Sequence, residues 1–292
     1  MVSPRSANTF KAVPFRLRDR MKFSANLSLL FADLPFLDRV GAAADAGFDA
    51  VEFWWPPDDV LEELPAALAE AGLRVVLFNF YAGDMAAGDR GLLADPDRVE
   101  EFRANLPIAL RLAERLSCPR LNALVGLELA GRQRSEQLAL ATESIRWAAD
   151  QAAPLGIKVM VEAVNSIENG PYLLTGTEAA REFIETVDRP NVELQYDVYH
   201  MQRMEGNLVD TLRQHIGLIG HIQIADSPGR GEPGTGEVNF SYVLREIERA
   251  GYRGYIGLEY RPAAGPATTS DGLSWVRDLG YRLGSQRGGS RR

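Results

Sequence analysis

The chain has 292 residues, of which 46% are hydrophobic and 25% charged, so it can bury a large core and has a globular composition. The formal net charge of −8 argues against a nucleic-acid partner, because phosphate binding usually leaves a basic surface. No apolar run approaches the roughly 20 residues of a membrane span. The single cysteine, Cys118, excludes an intramolecular disulfide, and we expect a cytoplasmic protein with no membrane partner.

The two ends of the chain differ from the rest. Residues 1–20 carry five basic residues against one acid, and they lack both apolar periodicity and the compact apolar segment of a secretory signal. We interpret them as a disordered basic extension or as an over-long start assignment. Residues 285–292 are predicted to be a disordered tail, which leaves residues 21–284 as one catalytic domain.

Between these ends, short apolar runs alternate with longer segments of helical periodicity. The predicted strands are 22–27, 49–54, 73–79, 120–125, 157–162, 192–197, 219–225 and 255–260. The predicted helices are 35–46, 58–71, 97–116, 134–155, 177–187, 208–215, 241–250 and 273–283. Each predicted strand is therefore followed by a predicted helix.

Eight strand–helix units predict an α/β fold, a closed (β/α)8 TIM barrel in a single domain. A doubly wound open sheet is the alternative, but no Gly-x-Gly-x-x-Gly follows the first strand, and eight units fit closure. The long loops 80–96 and 226–239 both follow strands. They are therefore predicted to lie on the face where barrels build active sites, and their glycines would allow lid movement.

Four predicted strands end on an oxygen-bearing side chain. These residues are Glu162, Asp197, Gln223 and Glu259. Because neighbouring strand ends lie close together in a barrel, three carboxylates there would repel one another, and a bound divalent cation would relieve the repulsion. An all-oxygen set suits Mg²⁺ or Mn²⁺ rather than zinc. Any one of the four could instead cap a helix or pair with Arg261.

The motifs around these residues also resemble those of a known family. They are Val161-Glu-Ala-Val-Asn-Ser-Ile-Glu168, Asp197-Val-Tyr-His200, His221-Ile-Gln-Ile-Ala-Asp226, Gly257-Leu-Glu-Tyr260 and Gly83-Asp-Met-Ala-Ala-Gly-Asp-Arg-Gly91. Over residues 21–283 the chain resembles the xylose-isomerase-like barrels, and most closely their hydroxypyruvate isomerase family, which includes the 2-oxo-tetronate isomerases. In related ketose epimerases the position of Gln223 looks like a histidine, so glutamine there points to the hydroxypyruvate branch.

The resemblance implies that Glu162, Asp197, Gln223 and Glu259 bind Mg²⁺ or Mn²⁺ and that Glu162 and Glu259 are also the catalytic acid–base pair. The expected enzyme is an isomerase that interconverts hydroxypyruvate and tartronate semialdehyde. A proton would leave C3 and another would return to C2 through an enediolate, and a bound metal would acidify the first. Either glutamate could abstract the proton.

Five further residues are candidates for substrate binding. His200 would hydrogen-bond a substrate oxygen, or is a buried structural histidine, and His221 would lie one layer deeper in the barrel. Glu168 matches a substrate-contacting position of related epimerases, or lies at a helix cap or on the surface. Arg90 and Arg230, one in each long loop, could bind the substrate carboxylate bidentately, or be solvated.

Several alternatives stay open at this point. The same site could serve a 2-oxo-tetronate isomerase or a ketose 3-epimerase. A metal-dependent endonuclease of the abasic-site type shares this barrel but looks to require several metal-binding histidines, and the chain has only His200, His215 and His221. A non-catalytic barrel that binds a sugar acid is the fourth. The predicted partner is a small 2-oxo or 2-hydroxy acid, and the sequence is compatible with a homo-oligomer. Glu52 and Asn79 would line the cavity or satisfy the barrel rim.

Overall fold

The computed structural model describes residues 21–284, so the segments predicted to be disordered, 1–20 and 285–292, lie outside the described residues. Within the described part, eight strands pair in sequence order, and β1 pairs with β8 to close the barrel. The strands are β1 (Lys22–Asn26), β2 (Ala50–Phe53), β3 (Arg74–Asn79), β4 (Arg120–Ala123), β5 (Lys158–Glu162), β6 (Val192–Asp197), β7 (Ile219–Ile224) and β8 (Tyr255–Leu258). All eight pairings are parallel, which confirms the predicted single-domain (β/α)8 TIM barrel.

Helices connect the strands on the outside of the barrel. They are α1 (Phe36–Asp45), α2 (Leu64–Ala71), α3 (Val99–Leu116), α4 (Arg134–Ala152), α5 (Ser166–Asn169), α6 (Thr177–Val187), α7 (Val198–Met204), α8 (Leu208–His215), α9 (Phe240–Arg249), α10 (Thr269–Gly272) and α11 (Ser274–Asp278). Short 3-10 turns occur at Asp58–Val60, Ala153–Leu155 and Pro266–Thr268. Within residues 21–284, no helix combines the length and apolar character that crossing a bilayer requires.

The predicted helix boundaries differ from the structure where proline or glycine interrupts the pattern. The helix predicted from residue 58 begins only at Leu64, because Pro65 lacks a backbone N–H and is tolerated only in the first turn. The single helix predicted over 273–283 is wrong: α10 ends at Gly272 and α11 at Asp278. The helices α5 and α7 were not predicted, and both follow strands that end on a candidate ligand.

The helix α7 begins directly after Asp197 and carries His200. Asp197 is its N-cap residue, and its Oδ1 accepts a hydrogen bond of 2.7 Å from the backbone N–H of Tyr199. The histidine therefore lies on the first helical turn, directly above the end of β6. One aspartate both ends the strand and starts the helix that carries His200.

The interior of the barrel contains a polar layer beneath the C-terminal rim. Its fully or almost fully buried side chains include Ser24, Asn26, Glu52, Asn122, Gln195, His221 and Gln223. The strand register aligns part of this layer, because Asp197 pairs with Gln223, Gln223 with Gly257 and Gly257 with Ser24. Buried polar groups are costly unless they are hydrogen-bonded, and within residues 21–284 only Asn122 Oδ1 and Gln195 Oε1 of these side chains lack a partner.

The loop after β7 is organised by a single buried carboxylate, that of Asp226. Its Oδ1 accepts hydrogen bonds from the backbone N–H groups of Ser227 (2.9 Å) and Val238 (3.0 Å). Its Oδ2 accepts from those of Gly234 (2.8 Å) and Gly236 (2.9 Å). A side chain that satisfies four loop amides fixes the course of that loop over the barrel mouth.

The loop after β3 is fixed by a close backbone approach. Gly91 has φ of +107°, and a Cβ atom added there would lie 2.0 Å from the carbonyl oxygen of Leu124, just after β4. Its N–H also donates to the carbonyl of Ala82 within the same loop. Only glycine permits both this conformation and this contact, so Gly91 holds the neighbouring Arg90 against the barrel.

We expect Gly91→Ala to destabilise the protein more than Gly88→Ala. Both positions have positive φ, which strains alanine, but nothing lies within 4 Å of a Cβ atom built at Gly88, where φ is +111°. The extra clash with Leu124 should lower the free energy of unfolding by about 1–3 kcal/mol beyond the loss in the control. Urea denaturation of both variants measures this difference. Equal losses would mean that the contact with Leu124 is not needed.

Candidate active site

Four buried side chains meet at the C-terminal rim of the barrel. Each of Glu162, Asp197, His200 and Glu259 offers one potential ligand atom, and these atoms all lie within 4.8 Å of one another. Glu162 ends β5, Asp197 ends β6 and Glu259 directly follows β8. Strand ends that are distant in sequence thus bring three carboxylates into one cluster.

The crowding of these carboxylates perturbs their protonation. Burial, followed by the charges of Glu259 and Asp197, raises the pKa of Glu162 well above its usual range. Burial and the charge of Glu259 raise the pKa of Asp197 to about 7, although Arg230 opposes that rise. Burial and the positive charge of Arg230 lower the pKa of His200 well below its usual value. At neutral pH the imidazole is therefore uncharged.

Neighbouring side chains fix the orientation of the two glutamates. Asn122 donates from Nδ2 to Oε2 of Glu162 at 2.7 Å. Glu259 Oε1 accepts from the indole N–H of Trp54 at 2.7 Å and from Nδ2 of Asn26 at 3.2 Å, and its Oε2 accepts from Nη2 of Arg230 at 2.5 Å. Both carboxylates are thus held by donors from other strands and loops.

The donor set fits a divalent cation. Asp197 Oδ2 is buried and has no hydrogen-bond partner among residues 21–284, although a buried oxygen normally has one. Arg230 Nη2 lies 3.9 Å from this oxygen, outside hydrogen-bonding distance. Three crowded carboxylates with an unsatisfied oxygen form the kind of hard-oxygen set that binds Mg²⁺ or Mn²⁺.

His200 is oriented as a donor toward this cluster. Asn165 Oδ1 accepts from the backbone N–H of Glu168 at 3.0 Å, so its Nδ2 faces Nδ1 of His200 at 2.7 Å. An amide nitrogen only donates, so Nδ1 accepts and the neutral ring carries its proton on Nε2. That Nε2 lies 3.5 Å from Asp197 Oδ2 and 3.8 Å from Glu162 Oε1. A protonated Nε2 is a hydrogen-bond donor and not a metal ligand.

A cavity of about 440 Å³ opens above the cluster, a size typical of small-molecule sites. Glu162, His200 and Glu259 form part of its floor. Its walls include Trp54, Asn79, Arg90, Leu124, Tyr172, Arg230 and Arg261. The cavity thus places two carboxylates and a neutral histidine opposite three arginines.

Comparison with known proteins identifies the family. Residues 40–279 match the family model described as xylose isomerase-like TIM barrel. The hydroxypyruvate isomerase of Escherichia coli is 44% identical over 256 residues, which cover 88% of this chain and 98% of that protein. The 2-oxo-tetronate isomerase of Pectobacterium atrosepticum is 42% identical, covering 87% and 96% respectively. The chain belongs to the xylose isomerase-like TIM barrel family. Its named relatives make it an enzyme of the isomerase type, as the sequence resemblance implied.

Solved structures agree with the barrel. One from Brucella melitensis, named as an AP endonuclease of family 2, superposes with a TM-score of 0.84 at 40% identity and covers 88% of this chain and 98% of its own. The D-psicose 3-epimerase of Clostridium cellulolyticum H10 superposes with a TM-score of 0.73 and covers 89% of this chain and all of its own. Because its identity is only 19%, that likeness shows the fold alone.

Two other predicted residues, Gln223 and His221, contact the buried carboxylate of Glu52. Gln223 is the register partner of Asp197, its Nε2 donates to Glu52 Oε1 at 2.8 Å, and its Oε1 accepts from Gln195 Nε2 at 2.7 Å. Its role as a metal ligand stays a prediction. His221 Nε2 lies 2.8 Å from Glu52 Oε2 in the same layer. Despite burial, the donors His221, Gln223 and Ser24 lower the pKa of Glu52.

The predicted substrate-binding side chains outside the cluster are mostly engaged with protein groups. Glu168 Oε1 accepts from the hydroxyl of Tyr199 at 2.6 Å, and neither Glu168 nor His221 is among the residues that line the cavity. Arg90 lines it, with Nε bound to Asn169 and Nη1 bound to two backbone carbonyls. Arg230 lines it as well, paired with Glu259. Their roles in substrate binding stay predictions.

Two residues of this site were not named from the sequence, and a third, Arg261, was considered only as a partner of the carboxylates. Asn122 and Asn165 orient Glu162 and His200, and Arg261 lines the cavity. Asn122 lies in β4 near its end, so the rule that selected the strand-end carboxylates could have found it. Arg261 follows the motif Gly257-Leu-Glu-Tyr260, and within residues 21–284 its exposed guanidinium makes no hydrogen bond or ion pair.

We expect Glu162→Gln to stabilise the metal-free protein and to weaken its response to metal. Because its pKa is raised, Glu162 must either take up a proton on folding at neutral pH or stay charged beside Glu259 and Asp197. Glutamine avoids both costs, which should raise the melting temperature in EDTA by about 2–4 °C per kcal/mol gained. The same change should remove most of the stabilisation that Mn²⁺ gives the wild type, because a ligand of the folded state raises stability by mass action. Thermal melts in EDTA and in Mn²⁺ measure both effects.

The matched control is Glu143→Gln. It changes an exposed glutamate of α4, a helix on the outside of the barrel. It should melt like the wild type under both conditions. A lower melting temperature of Glu162→Gln in EDTA, or an unchanged response to Mn²⁺, would contradict the electrostatic account of the cluster.

Proposed function

We propose that this isomerase interconverts hydroxypyruvate and tartronate semialdehyde by proton transfer between its two buried glutamates. The observation that carries the proposal is the meeting of Glu162 and Glu259 in one cluster that opens into a cavity of about 440 Å³. The identity of 44% to a hydroxypyruvate isomerase supports this choice of substrate.

The reaction needs two proton positions and no redox partner. The proton on C3 of hydroxypyruvate leaves, an enediolate forms, and a proton returns to C2, while the hydroxyl proton moves from the oxygen on C3 to the oxygen on C2. One glutamate accepts the first proton and the other delivers the second. Asn122 holds Glu162 from one side, and Trp54 and Asn26 hold Glu259 from the other, so each carboxylate keeps a fixed direction.

The metal ligands in this proposal are Glu162, Asp197, Gln223 and Glu259, with Mg²⁺ or Mn²⁺ as the cofactor. A divalent metal held there would stabilise the negative charge that develops on the substrate oxygens. The unpartnered Oδ2 of Asp197 and the raised pKa of Glu162 support a cation at this position. His200 would donate its Nε2 proton to a substrate oxygen, a role that its contact with Asn165 favours.

The substrate carboxylate needs a cation that protein carboxylates have not already neutralised. Arg230 pairs with Glu259, whereas Arg90 contacts only an amide oxygen and backbone carbonyls. Arg261 is the third arginine of the cavity wall, and its guanidinium makes no bond within the described residues. We therefore assign the carboxylate to Arg261, with Arg90 as a second candidate that also lines the cavity.

A second candidate function is 2-oxo-tetronate isomerisation at the same site. The identity of 42% to a 2-oxo-tetronate isomerase supports it, and the two substrates differ by one CHOH unit. The endonuclease activity in the name of the Brucella relative is less compatible with this cluster, which has one histidine, oriented as a donor.

The deciding experiment measures turnover of hydroxypyruvate and of 2-oxo-tetronate by the full-length protein in Mn²⁺, in Mg²⁺ and in EDTA. We expect turnover of hydroxypyruvate with metal and none with EDTA, and the higher kcat/KM identifies the better substrate. A duplex with one abasic site is the third substrate, and it should stay intact. Cleavage of that duplex without isomerase turnover would overturn the proposal.

Glu259→Gln tests the acid–base role within the same reaction. The amide can still accept from Trp54 but cannot take up a proton, so exchange of solvent deuterium into hydroxypyruvate should fall at least ~100-fold. Exchange is followed by NMR, and wild-type rates in this variant would exclude Glu259 from the proton transfer.

We expect Arg261→Gln to weaken substrate binding. Loss of a charge-assisted hydrogen bond to the substrate carboxylate should raise KM about tenfold or more. The matched control is Arg277→Gln, an exposed arginine of α11, which should keep the wild-type KM. Steady-state kinetics with saturating metal measures KM for both variants. If Arg261→Gln keeps the wild-type KM, Arg261 does not bind the substrate carboxylate.

A further inference from the structure

Glu52 is a fully buried carboxylate of β2 that the proposed reaction does not use. Its Oε1 accepts hydrogen bonds from Gln223 Nε2 at 2.8 Å and from Asn26 Nδ2 at 3.3 Å. Its Oε2 accepts from Ser24 Oγ at 2.8 Å and contacts His221 Nε2 at 2.8 Å. Four polar groups from β1 and β7 therefore surround one carboxylate, which is far more than a space-filling role in a barrel interior requires.

The backbone of β8 makes room for this carboxylate. A Cβ atom added to Gly257 would lie 2.2 Å from Glu52 Oε1 and 2.4 Å from Oε2. Gly257 is the register partner of both Gln223 and Ser24. Glycine at this position thus lets Glu52 reach across β1 and β8 to the amide of Gln223.

The direction of the Gln223 amide follows from this contact. A carboxylate surrounded by donors only accepts, so the end of the amide that faces Glu52 must be the NH₂ group. The planar amide then turns its oxygen away from Glu52. Gln195 Nε2 donates to that oxygen at 2.7 Å, and an amide oxygen has a second lone pair that this bond leaves available.

We propose that Glu52 is a positioning residue that fixes the oxygen of Gln223 as the metal-binding end of its amide. Only an oxygen can serve Mg²⁺ or Mn²⁺ here, and a reversed amide would present an NH₂ group to the cation. The inference rests on the metal site of the proposed function. Side chains that orient a metal ligand in this way commonly change metal affinity 10–100-fold when they are replaced.

The test is Glu52→Met, measured by calorimetric titration of the metal-free full-length protein with Mn²⁺. Methionine is similar in length but accepts no strong hydrogen bond, so the Gln223 amide is free to reverse. We expect the Mn²⁺ affinity to fall at least ~10-fold. The control is Ser24→Ala, which removes a different donor to Glu52 and leaves the contact with Gln223, so its affinity should stay within about twofold of wild type.

A merely structural role would lower the melting temperature of both variants and leave the Mn²⁺ affinity of the folded protein unchanged. If Glu52→Met affinity stays within about twofold of wild type, or if Ser24→Ala loses as much, the proposal is overturned. If Glu52→Met does not fold, Glu52→Gln is measured instead. Its single side-chain oxygen cannot accept from all the donors, so the Mn²⁺ affinity should fall at least ~3-fold. A wild-type Mn²⁺ affinity in this variant overturns the proposal.

Measuring Mn²⁺ binding and turnover separately distinguishes failure of the Glu52 proposal from failure of the proposed isomerase function. If wild-type protein binds Mn²⁺ but does not turn over hydroxypyruvate, the substrate assignment fails while the effect of Glu52 on affinity still stands. If wild-type protein shows no affinity for Mn²⁺, both the metal site and the positioning role are overturned.

Discussion

Three buried carboxylates, Glu162, Asp197 and Glu259, lie within a cluster whose ligand atoms are all within 4.8 Å, and their mutual repulsion constrains the structure around them. Protonation relieves part of this repulsion, because the pKa of Glu162 lies well above its usual range and that of Asp197 is raised to about 7. The protein also surrounds the cluster with donors, including an indole N–H, two asparagine amides and one arginine. One oxygen of Asp197 is nevertheless left without a partner in the described structure. The barrel is stable enough elsewhere to hold an arrangement that is unfavourable on its own, as active sites commonly do.

The polar layer inside the barrel helps to hold this crowded cluster in place. Glu52 and its four partners form a second, fully satisfied network directly beneath the unsatisfied one. A buried carboxylate with several donors is rigid, because each broken hydrogen bond would leave a desolvated group. This rigidity reaches the rim through Gln223 and through Asn26, which donates to both Glu52 and Glu259. The crowded cluster is therefore held by side chains that are themselves fixed by hydrogen bonds.

Much of the fold was predictable because its signals are local. The strand β6 and the helices α6 and α8 match the predicted boundaries. The proximity of Glu162, Asp197 and Glu259 follows from eight parallel strands whose ends lie on one face of the barrel. The tautomer of His200 was not predictable, because it depends on Asn165, which in turn is oriented by a backbone N–H of α5. Nor was the pairing of Arg230 with Glu259 predictable, since a loop conformation brings these residues together and periodicity carries no information about loops.

The four hydrogen bonds that Asp226 accepts from the loop after β7 affect how the cavity wall could change. Four backbone amides, two of them from glycines, define the path of the loop, so its course depends little on the side chains that it carries. Exposed side chains of this loop can then be exchanged without moving the backbone beneath them, whereas Arg230 also holds Glu259 through Oε2. The backbone of the loop is therefore fixed by Asp226, independently of most of the side chains that the loop presents to the cavity. In a barrel of this kind, changes to those exposed side chains would alter the cavity wall while Glu162 and Glu259 keep their positions at the strand ends.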